Sequence, residues 1–293
     1  MSRWKQVPPQ PGRTFVVTGA SSGVGLATAD ALARAGAHVV MAVRNRAKGE
    51  EAAATIHPAN GGSVEVGIVD VADLDSVRSF AGTVGEIDVL INNAGVLAVP
   101  FALTPEGVET HFASNHLGHF ALTNLLLPRI RDRVVVVASA SHKHGDLQLD
   151  DLDWSRRGYK AYAAYAASKL ANLQFLTELD RRLRAIGSPL RATGAHPGTT
   201  GTSITSHSDK GLQTLIGAWG HRVTGMPTWK GALPSLYAAT EDIPGNSYIG
   251  PTGLFELYGW PGEASRTPAS LDPVASRALW ERSKELSGVR FPL

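Results

Sequence analysis

The chain has 293 residues, 43% hydrophobic and 18% charged, with a formal charge of +2 at pH 7. That balance suits a soluble globular protein with one sizeable core, read here as a single domain over 1–293, and the even spread of both charge signs argues against a nucleic-acid partner. With no cysteine, disulfides, thiolate metal sites and a cysteine nucleophile are excluded, and a reducing cytoplasm fits.

The leader Met1-Ser-Arg-Trp-Lys-Gln-Val-Pro-Pro-Gln-Pro-Gly12 has no apolar segment of the signal-peptide kind. No apolar run reaches the ~18 residues of a spanning helix, so the expectation is a cytoplasmic protein without membrane attachment. The run 14–18 is short, β-branched and apolar, a buried strand. It breaks into Gly19-Ala-Ser-Ser-Gly-Val-Gly25 and then a helix over 26–35 stopped by Gly36. Strand, glycine turn and helix open a dinucleotide-binding unit, in which the backbone from Gly19 through Ser21, Ser22, Gly23, Val24 and Gly25 approaches a pyrophosphate at the positive end of the helix. The spacing is Thr18-Gly-x-x-x-Gly-x-Gly25 and not the Gly-x-Gly-x-x-Gly of other such units.

A second strand over 37–43 ends in Arg44-Asn-Arg46, with no acid where a ribose 2′-hydroxyl would need one. A guanidinium suits a 2′-phosphate instead, so Arg44 points to NADP(H) in preference to NAD(H). A helix over 47–57, a strand over 64–69, a helix over 74–84 and a strand over 87–91 follow, giving the βαβ rhythm of a doubly wound parallel sheet with helices on both faces. A helix over about 105–127 contains Gly118, a candidate kink. The strand 133–137 delivers Ser139 and Ser141 to its carboxyl end, where open α/β sheets bind ligands. A polar loop over 142–160 leads to the next helix, and a strand over 190–195 ends in His196-Pro-Gly198. From 199 to 228 the rhythm is lost to Gly, Ser and Thr, the profile of a lid over a site. A helix over 229–240, a short strand near 254–257 and a helix over 272–287 close the chain.

The helix that begins Ala161-Tyr-Ala-Ala-Tyr-Ala-Ala-Ser-Lys169 and runs to about residue 186 is free of Gly and Pro through its first turns. Tyr165 and Lys169, four apart, share a helix face. An ammonium beside a phenol favours phenolate and makes tyrosine a usable acid or base near neutrality. Tyr159 and Tyr162 have no lysine four residues on. His116 and His119 are three apart but lack a third ligand, so no metal is expected and both are read as structural; His142 and His144 are read as surface residues. Trp219 and Trp229 either line a lipophilic pocket or pack the lid.

Taken together, Thr18-Gly-x-x-x-Gly-x-Gly25, Asp70, Asn92-Asn-Ala-Gly95, Asn115, Ser139, Tyr165-x-x-x-Lys169 and Pro197-Gly198 resemble a short-chain dehydrogenase/reductase along nearly the whole chain. Asn115-His-Leu-Gly-His-Phe120, Ser168-Lys-Leu-Ala-Asn172 and His196-Pro-Gly198 resemble its retinol-dehydrogenase-like and protochlorophyllide-reductase-like branch. The resemblance implies that Tyr165 exchanges a proton with the substrate oxygen and that Lys169 lowers the Tyr165 pKa and binds the nicotinamide ribose. Ser139 would orient the carbonyl, and Asn115 would hold a water connecting Lys169 to solvent. Ala138-Ser-Ala-Ser-His-Lys-His-Gly145, aligned on the branch pattern, selects Ser139 over Ser141. Asp70, Val71, Asn92, Ala94, Gly95, Pro197, Gly198 and Thr202 are implied in cofactor binding, Thr202 at the nicotinamide amide. The substrate would be a small carbonyl or alcohol, of a lipophilic kind on this branch. The resemblance implies a dimer or a tetramer through the Tyr165 helix and its successor, a homodimer among them, with the loop 142–160 able to alter that face. Two other readings differ in class. A nucleotide-sensing regulator would have lost Tyr165 or Lys169, and protochlorophyllide reductase itself uses a cysteine that this chain lacks.

Overall fold

The computed structural model of the chain describes residues 4, 6–199 and 226–293. Most of the expected lid, with Thr202 and Trp219, therefore lies outside the described residues.

Strand β1 (Thr14–Thr18), helix α1 (Gly23–Arg34), β2 (His38–Val43), α2 (Arg46–Ala54), β3 (Ser63–Ile68), α3 (Leu74–Thr83) and β4 (Ile87–Asn92) alternate as the sequence predicts. Helix α4 is composite: Thr110–Phe112 and Gly118–Leu126 are α-helical, and Ala113–Leu117 between them forms a π-helical turn. Then come β5 (Ile130–Val137), the long α5 (Ala161–Ala185), β6 (Arg191–Ala195), α6 (Thr228–Thr240), β7 (Tyr248–Pro251), β8 (Pro261–Glu263) and, after a single turn at Pro268–Leu271, α7 (Pro273–Ser287). Among the described residues the strands form one sheet in the order β3-β2-β1-β4-β5-β6-β7-β8, parallel except for the antiparallel β7–β8 pair. The order reverses between β1 and β4, and ligands of open α/β sheets bind in the crevice at such a point.

Strand alternation divides the core into two layers. Val16, Leu90, Val134 and Val136 face α3, α4, α5 and α7 through Phe80, Phe120, Phe175 and Trp280, while Phe15, Val17, Val89, Ile91, Val135 and Val137 face α1, α2 and α6 through Leu32, Ala33, Ala52 and Leu236. Successive side chains on a strand point to opposite faces, so a sheet covered on both sides needs apolar residues at every position, as in Val134-Val-Val-Val137. Trp280 stands edge-on to Phe120 at 4.9 Å and closes the α4–α5–α7 layer.

Two expectations are corrected. Residues 105–109 are not helical, because Gly107 has φ +71° in a turn and Glu109 caps the helix from outside, accepting from the amides of His111 and Phe112. The run near 254–257 is no strand: Leu254–Glu256 is a tight turn with Phe255 and Glu256 at φ 53° and 58°, and the strands lie on either side of it as β7 and β8. No described helix is long and apolar enough to cross a membrane.

Candidate active site

At the carboxyl ends of β1, β2 and β4 a cleft of about 560 Å³ is lined by Gly19, Ser21, Ser22, Gly23, Val24, Gly25, Arg44, Asp70, Val71, Ala94 and Gly95, all expected from the sequence. Its floor requires glycine: a Cβ on Gly25 would stand 2.3 Å from the Gly19 carbonyl oxygen and 2.6 Å from Asn93 Nδ2. Ser22, the residue before α1, makes no side-chain cap, and the first turn of α1 carries no acid. The first-turn amides and the helix dipole therefore favour an anion there, and the cradle fits a pyrophosphate.

Arg44 is exposed and meets Asp70 only at 3.9 Å. An exposed pair at that distance contributes little, so the guanidinium is available to a ligand. Lys48, in the first turn of α2, lines the same end of the cleft. Sequence reasoning passed over it, since a lone lysine on a helix reads as a solvated face.

Among the described residues, Asn92 is a cleft candidate whose side chain turns away: it is buried, and Nδ2 donates to Thr123 Oγ1 at 2.8 Å. Its neighbour Asn93 lines the cleft and donates Nδ2 to the Thr18 carbonyl at 2.8 Å. The alternation signal was present: Asn92 is two residues past Leu90 and so follows it to the α4 face. Pro197 and Gly198 follow β6, where the Leu257 carbonyl accepts the Thr199 amide at 2.9 Å.

The remaining site residues converge where α4, α5 and the end of β5 meet. Asn115, in the π-helical turn, is fully buried; its Oδ1 accepts from the Val96 amide at 2.7 Å, and Nδ2 donates to the Val96 carbonyl at 3.1 Å and to Ser168 Oγ at 2.9 Å. Ser168 Oγ in turn donates to the Tyr165 carbonyl at 2.7 Å. Asn115 thus fixes the loop after β4 to the helix that carries Tyr165. Lys169 is buried beside it, with Nζ donating to the Val137 carbonyl at 3.2 Å and lying 5.7 Å from the centre of the Tyr165 ring. Loss of hydration lowers the Lys169 pKa to about 8.

The Ser139 hydroxyl accepts the Ser141 amide at 3.1 Å and lies near enough to the Tyr165 phenol to act on its titration. Ser141 instead accepts from Tyr162 at 3.2 Å. The sequence leads one to expect a lowered phenol pKa at Tyr165. In this structure burial raises it, the Ser139 hydroxyl pulls it down, and Tyr162 adds to the rise.

Other histidines depart from a uniform surface picture. His142 is buried, not exposed; its Nδ1 lies 2.7 Å from the Ser139 carbonyl, and burial lowers its pKa. His144 is exposed. His116 and His119 are both buried, and no group of three or more His, Asp and Glu that could hold a metal occurs among the described residues. Trp229 is half exposed, with Lys230 against its ring. A buried pair absent from the sequence expectations, Glu109 and His111, meets at 2.6 Å, with Tyr159 donating to Glu109 at 3.1 Å. The His111 ring lies 6.3 Å from that of Tyr165.

The short chain dehydrogenase family profile matches residues 13–213. The chain belongs to that family. It is 36% identical to human retinol dehydrogenase 13 over 96% of this chain and 86% of that protein. Against mouse polyprenol dehydrogenase it is 37% identical over the same shares, 96% and 86%. These relatives put it on the retinol-dehydrogenase-like branch and make it an oxidoreductase by family. Among solved structures, an uncharacterized protein from Mycobacterium paratuberculosis superposes with a TM-score of 0.86 at 47% identity, covering 100% of both chains. A short chain dehydrogenase from Burkholderia cenocepacia in complex with NADP shares the fold at a TM-score of 0.64 and 22% identity, over 81% of this chain and 95% of that one.

Proposed function

We propose that this short-chain dehydrogenase uses NADP(H) to interconvert a lipophilic alcohol and its carbonyl compound, with Tyr165, Lys169, Ser139 and Asn115 as its working group. The observation that carries the proposal is the convergence of the Ser139 hydroxyl and Tyr165 at the carboxyl end of β5, with the Lys169 ammonium below the same ring.

When bound, the nicotinamide supplies or accepts the hydride. Reduction builds negative charge on the substrate oxygen, and hydroxyl donors such as Ser139 and Tyr165 stabilise it. Tyr165 gives that oxygen its proton. Lys169, charged below about pH 8, holds a positive charge beside the ring as the phenolate forms. Ser141 is engaged by Tyr162, which favours Ser139 for the orienting role. Asn115 acts through position: its two side-chain contacts to Val96 and its bond to Ser168 hold the floor beneath Lys169.

Three features support the finer choices. Arg44 and Lys48 bring two cations to the same end of the cleft, and a charge-assisted contact to a 2′-phosphate there would discriminate NADPH from NADH. Phe101, Tyr162, Leu254, Phe255 and Tyr258 are exposed apolar side chains. Tyr162 donates to Ser141, Phe101 packs on Tyr159, and the turn holding Phe255 is joined to Lys143 through Glu256 at 3.4 Å. Exposed apolar side chains of this kind favour a lipophilic substrate. The relatives act, by their names, on retinol and polyprenol.

The test is NADPH oxidation by the purified protein against retinal and a panel of aliphatic, aromatic and steroid-like carbonyls, with NADH in parallel. Turnover with the long apolar members and NADPH is expected. Tight NADPH binding with no turnover on any member would favour the nucleotide-sensing reading instead.

A further inference from the structure

In the run from Asn115 to His119 each polar or small residue contacts a different part of the molecule. Asn115 grips Val96 and Ser168. His116 Nε2 reaches Ser283 Oγ of α7 at 2.8 Å. Gly118 presses on the loop after β3, where a Cβ would stand 1.8 Å from the Val71 carbonyl oxygen. His119 turns toward the sheet: Nε2 lies 2.9 Å from Thr18 Oγ1, and Nδ1 lies 3.1 Å from the Asn115 carbonyl oxygen.

The proton positions in this chain follow from what each atom can do. A carbonyl oxygen only accepts, so Nδ1 must carry the ring proton. His119 is 3% exposed. Burial lowers its pKa to about 4, and the neighbouring Lys169 ammonium acts in the same direction against the Asn115 bond. The ring is neutral at physiological pH, and Nε2 is a bare acceptor. The Thr18 hydroxyl then gives its single proton to Nε2, which is closer than the Ile91 carbonyl at 3.4 Å. Its lone pairs receive the amides of Asn93 and Ala94, each at 2.9 Å. Each donor and acceptor along this path is used, from the loop that lines the cofactor cleft to the π-helical turn beside Lys169.

We propose that His119 is a positioning residue which, held as the neutral Nδ1–H tautomer between Thr18 and the Asn115 carbonyl, couples the cofactor loop 93–95 to the proton-handling group of Asn115 and Lys169. The coupling rests on the chemistry proposed above; the tautomer does not. Imidazole in solution prefers the other neutral tautomer, and the bond made by one ring nitrogen decides which is present. A protonated His119 would place a second cation beside Lys169 and deprive Thr18 of its acceptor. Lys169 is the charged group beside the ring; His116, whose pKa burial lowers to about 3, is neutral, as are Thr18 and Asn115.

Two measurements test this. The first is ¹⁵N NMR of the His119 ring in the wild-type protein, assigned through ring-proton contacts to the Thr18 methyl, from about pH 5 to about pH 9. A neutral ring protonated on Nδ1 throughout is expected; protonation on Nε2, or titration near the ordinary histidine value, would overturn the proposal. This readout needs no substrate, so it stands even if the proposed reaction fails.

The second is a kinetic cycle with T18V, H119F and the double variant. T18V should raise KM for NADPH severalfold. H119F, which keeps ring and volume but removes both nitrogens, should raise KM by a similar factor and lower kcat roughly tenfold further than T18V does, the scale of one lost hydrogen bond. Added to T18V, H119F should leave KM where it is, because the shared link is already broken. Independent, multiplying effects on KM, or wild-type kinetics in H119F, would overturn the coupling.

Discussion

From β1 to β4 the cofactor half of the molecule repeats one unit of strand, turn and helix, and its cleft residues lie within a few positions of a strand's carboxyl end. The substrate half, from the end of β6 to β8, includes α6 between the parallel strands β6 and β7 among the described residues, but no cleft residue sits there at a strand's carboxyl end in the same regular way. Its parts meet through long-range contacts: Leu257 accepts the Thr199 amide, Glu256 accepts from Ser265 Oγ at 2.5 Å, and the same carboxylate lies 3.4 Å from both Lys143 and His196. A pyrophosphate always makes the same demands, which local backbone geometry meets; a substrate is met by whichever side chains the loops bring together. Conserving the first while varying the second is how one fold carries many specificities.

The comparison can be broken most severely where the halves join. Tyr165→Phe keeps the ring and removes the proton, so kcat should fall ~10²-fold or more with the melting temperature unchanged. Near wild-type turnover would remove Tyr165 from the chemistry. On the cofactor side, Arg44→Ala should weaken NADPH binding by roughly one to two decades and leave NADH binding almost unaltered, as expected for a charge-assisted contact of ~1.5–3 kcal/mol. Calorimetry giving equal affinities for both cofactors in the wild type would contradict the 2′-phosphate reading. On the substrate side, Ser139→Ala should lower kcat about tenfold or more, against about twofold or less for Ser141→Ala, because Ser139 lies by the Tyr165 phenol while the Ser141 hydroxyl is engaged by Tyr162. The reverse order would exchange their roles.

A smaller effect concerns pH. Lys169 titrates at about 8 in the folded protein against an ordinary 10.5, because burial disfavours its charge. Between those values the unfolded chain holds a proton that the folded chain has lost, so stability should rise with pH across this window, by up to ~1.4 kcal/mol per pH unit. Below about 8 both states carry the proton, and the residue's contribution is flat and unfavourable. Denaturant unfolding of the wild type and Lys169→Met should show this rise in the wild type alone; parallel curves would mean that the ammonium is better solvated than its burial implies.

The cofactor half was largely legible in the sequence because its signals are local. Thr14–Thr18 reads as a buried strand from its apolar run, and the glycines that follow have no other reason to sit between a strand and a helix. Its misreadings were of facing. Asn92 was chosen and Asn93 passed over, although strand alternation turns Asn92 to the α4 face and Asn93 is the one that lines the cleft, and Lys48 was indistinguishable from a solvated residue. The substrate half was poorly legible for the opposite reason. Tyr248–Pro251 is four residues long and contains Gly and Pro, so nothing in its composition marks a strand; pairing with β6 and β8 makes it one. The burial of His142 depends on Tyr248, 5.8 Å away between ring centres and more than a hundred residues along the chain. The raised Tyr165 pKa has the same origin, since desolvation comes from the assembled fold and outweighs the local pattern of tyrosine and lysine.

The central claim is direct hydride exchange at a carbonyl held by Ser139 and Tyr165. The most direct test uses NADPH deuterated at the nicotinamide C4 with the best carbonyl substrate of the panel, followed by mass analysis of the alcohol formed. The account predicts deuterium on the carbinol carbon, a slower rate than with unlabelled NADPH, and almost no labelled product from Tyr165→Phe. Oxidation of the cofactor with the label absent from the alcohol, or equal labelling by the Tyr165→Phe protein, would contradict it.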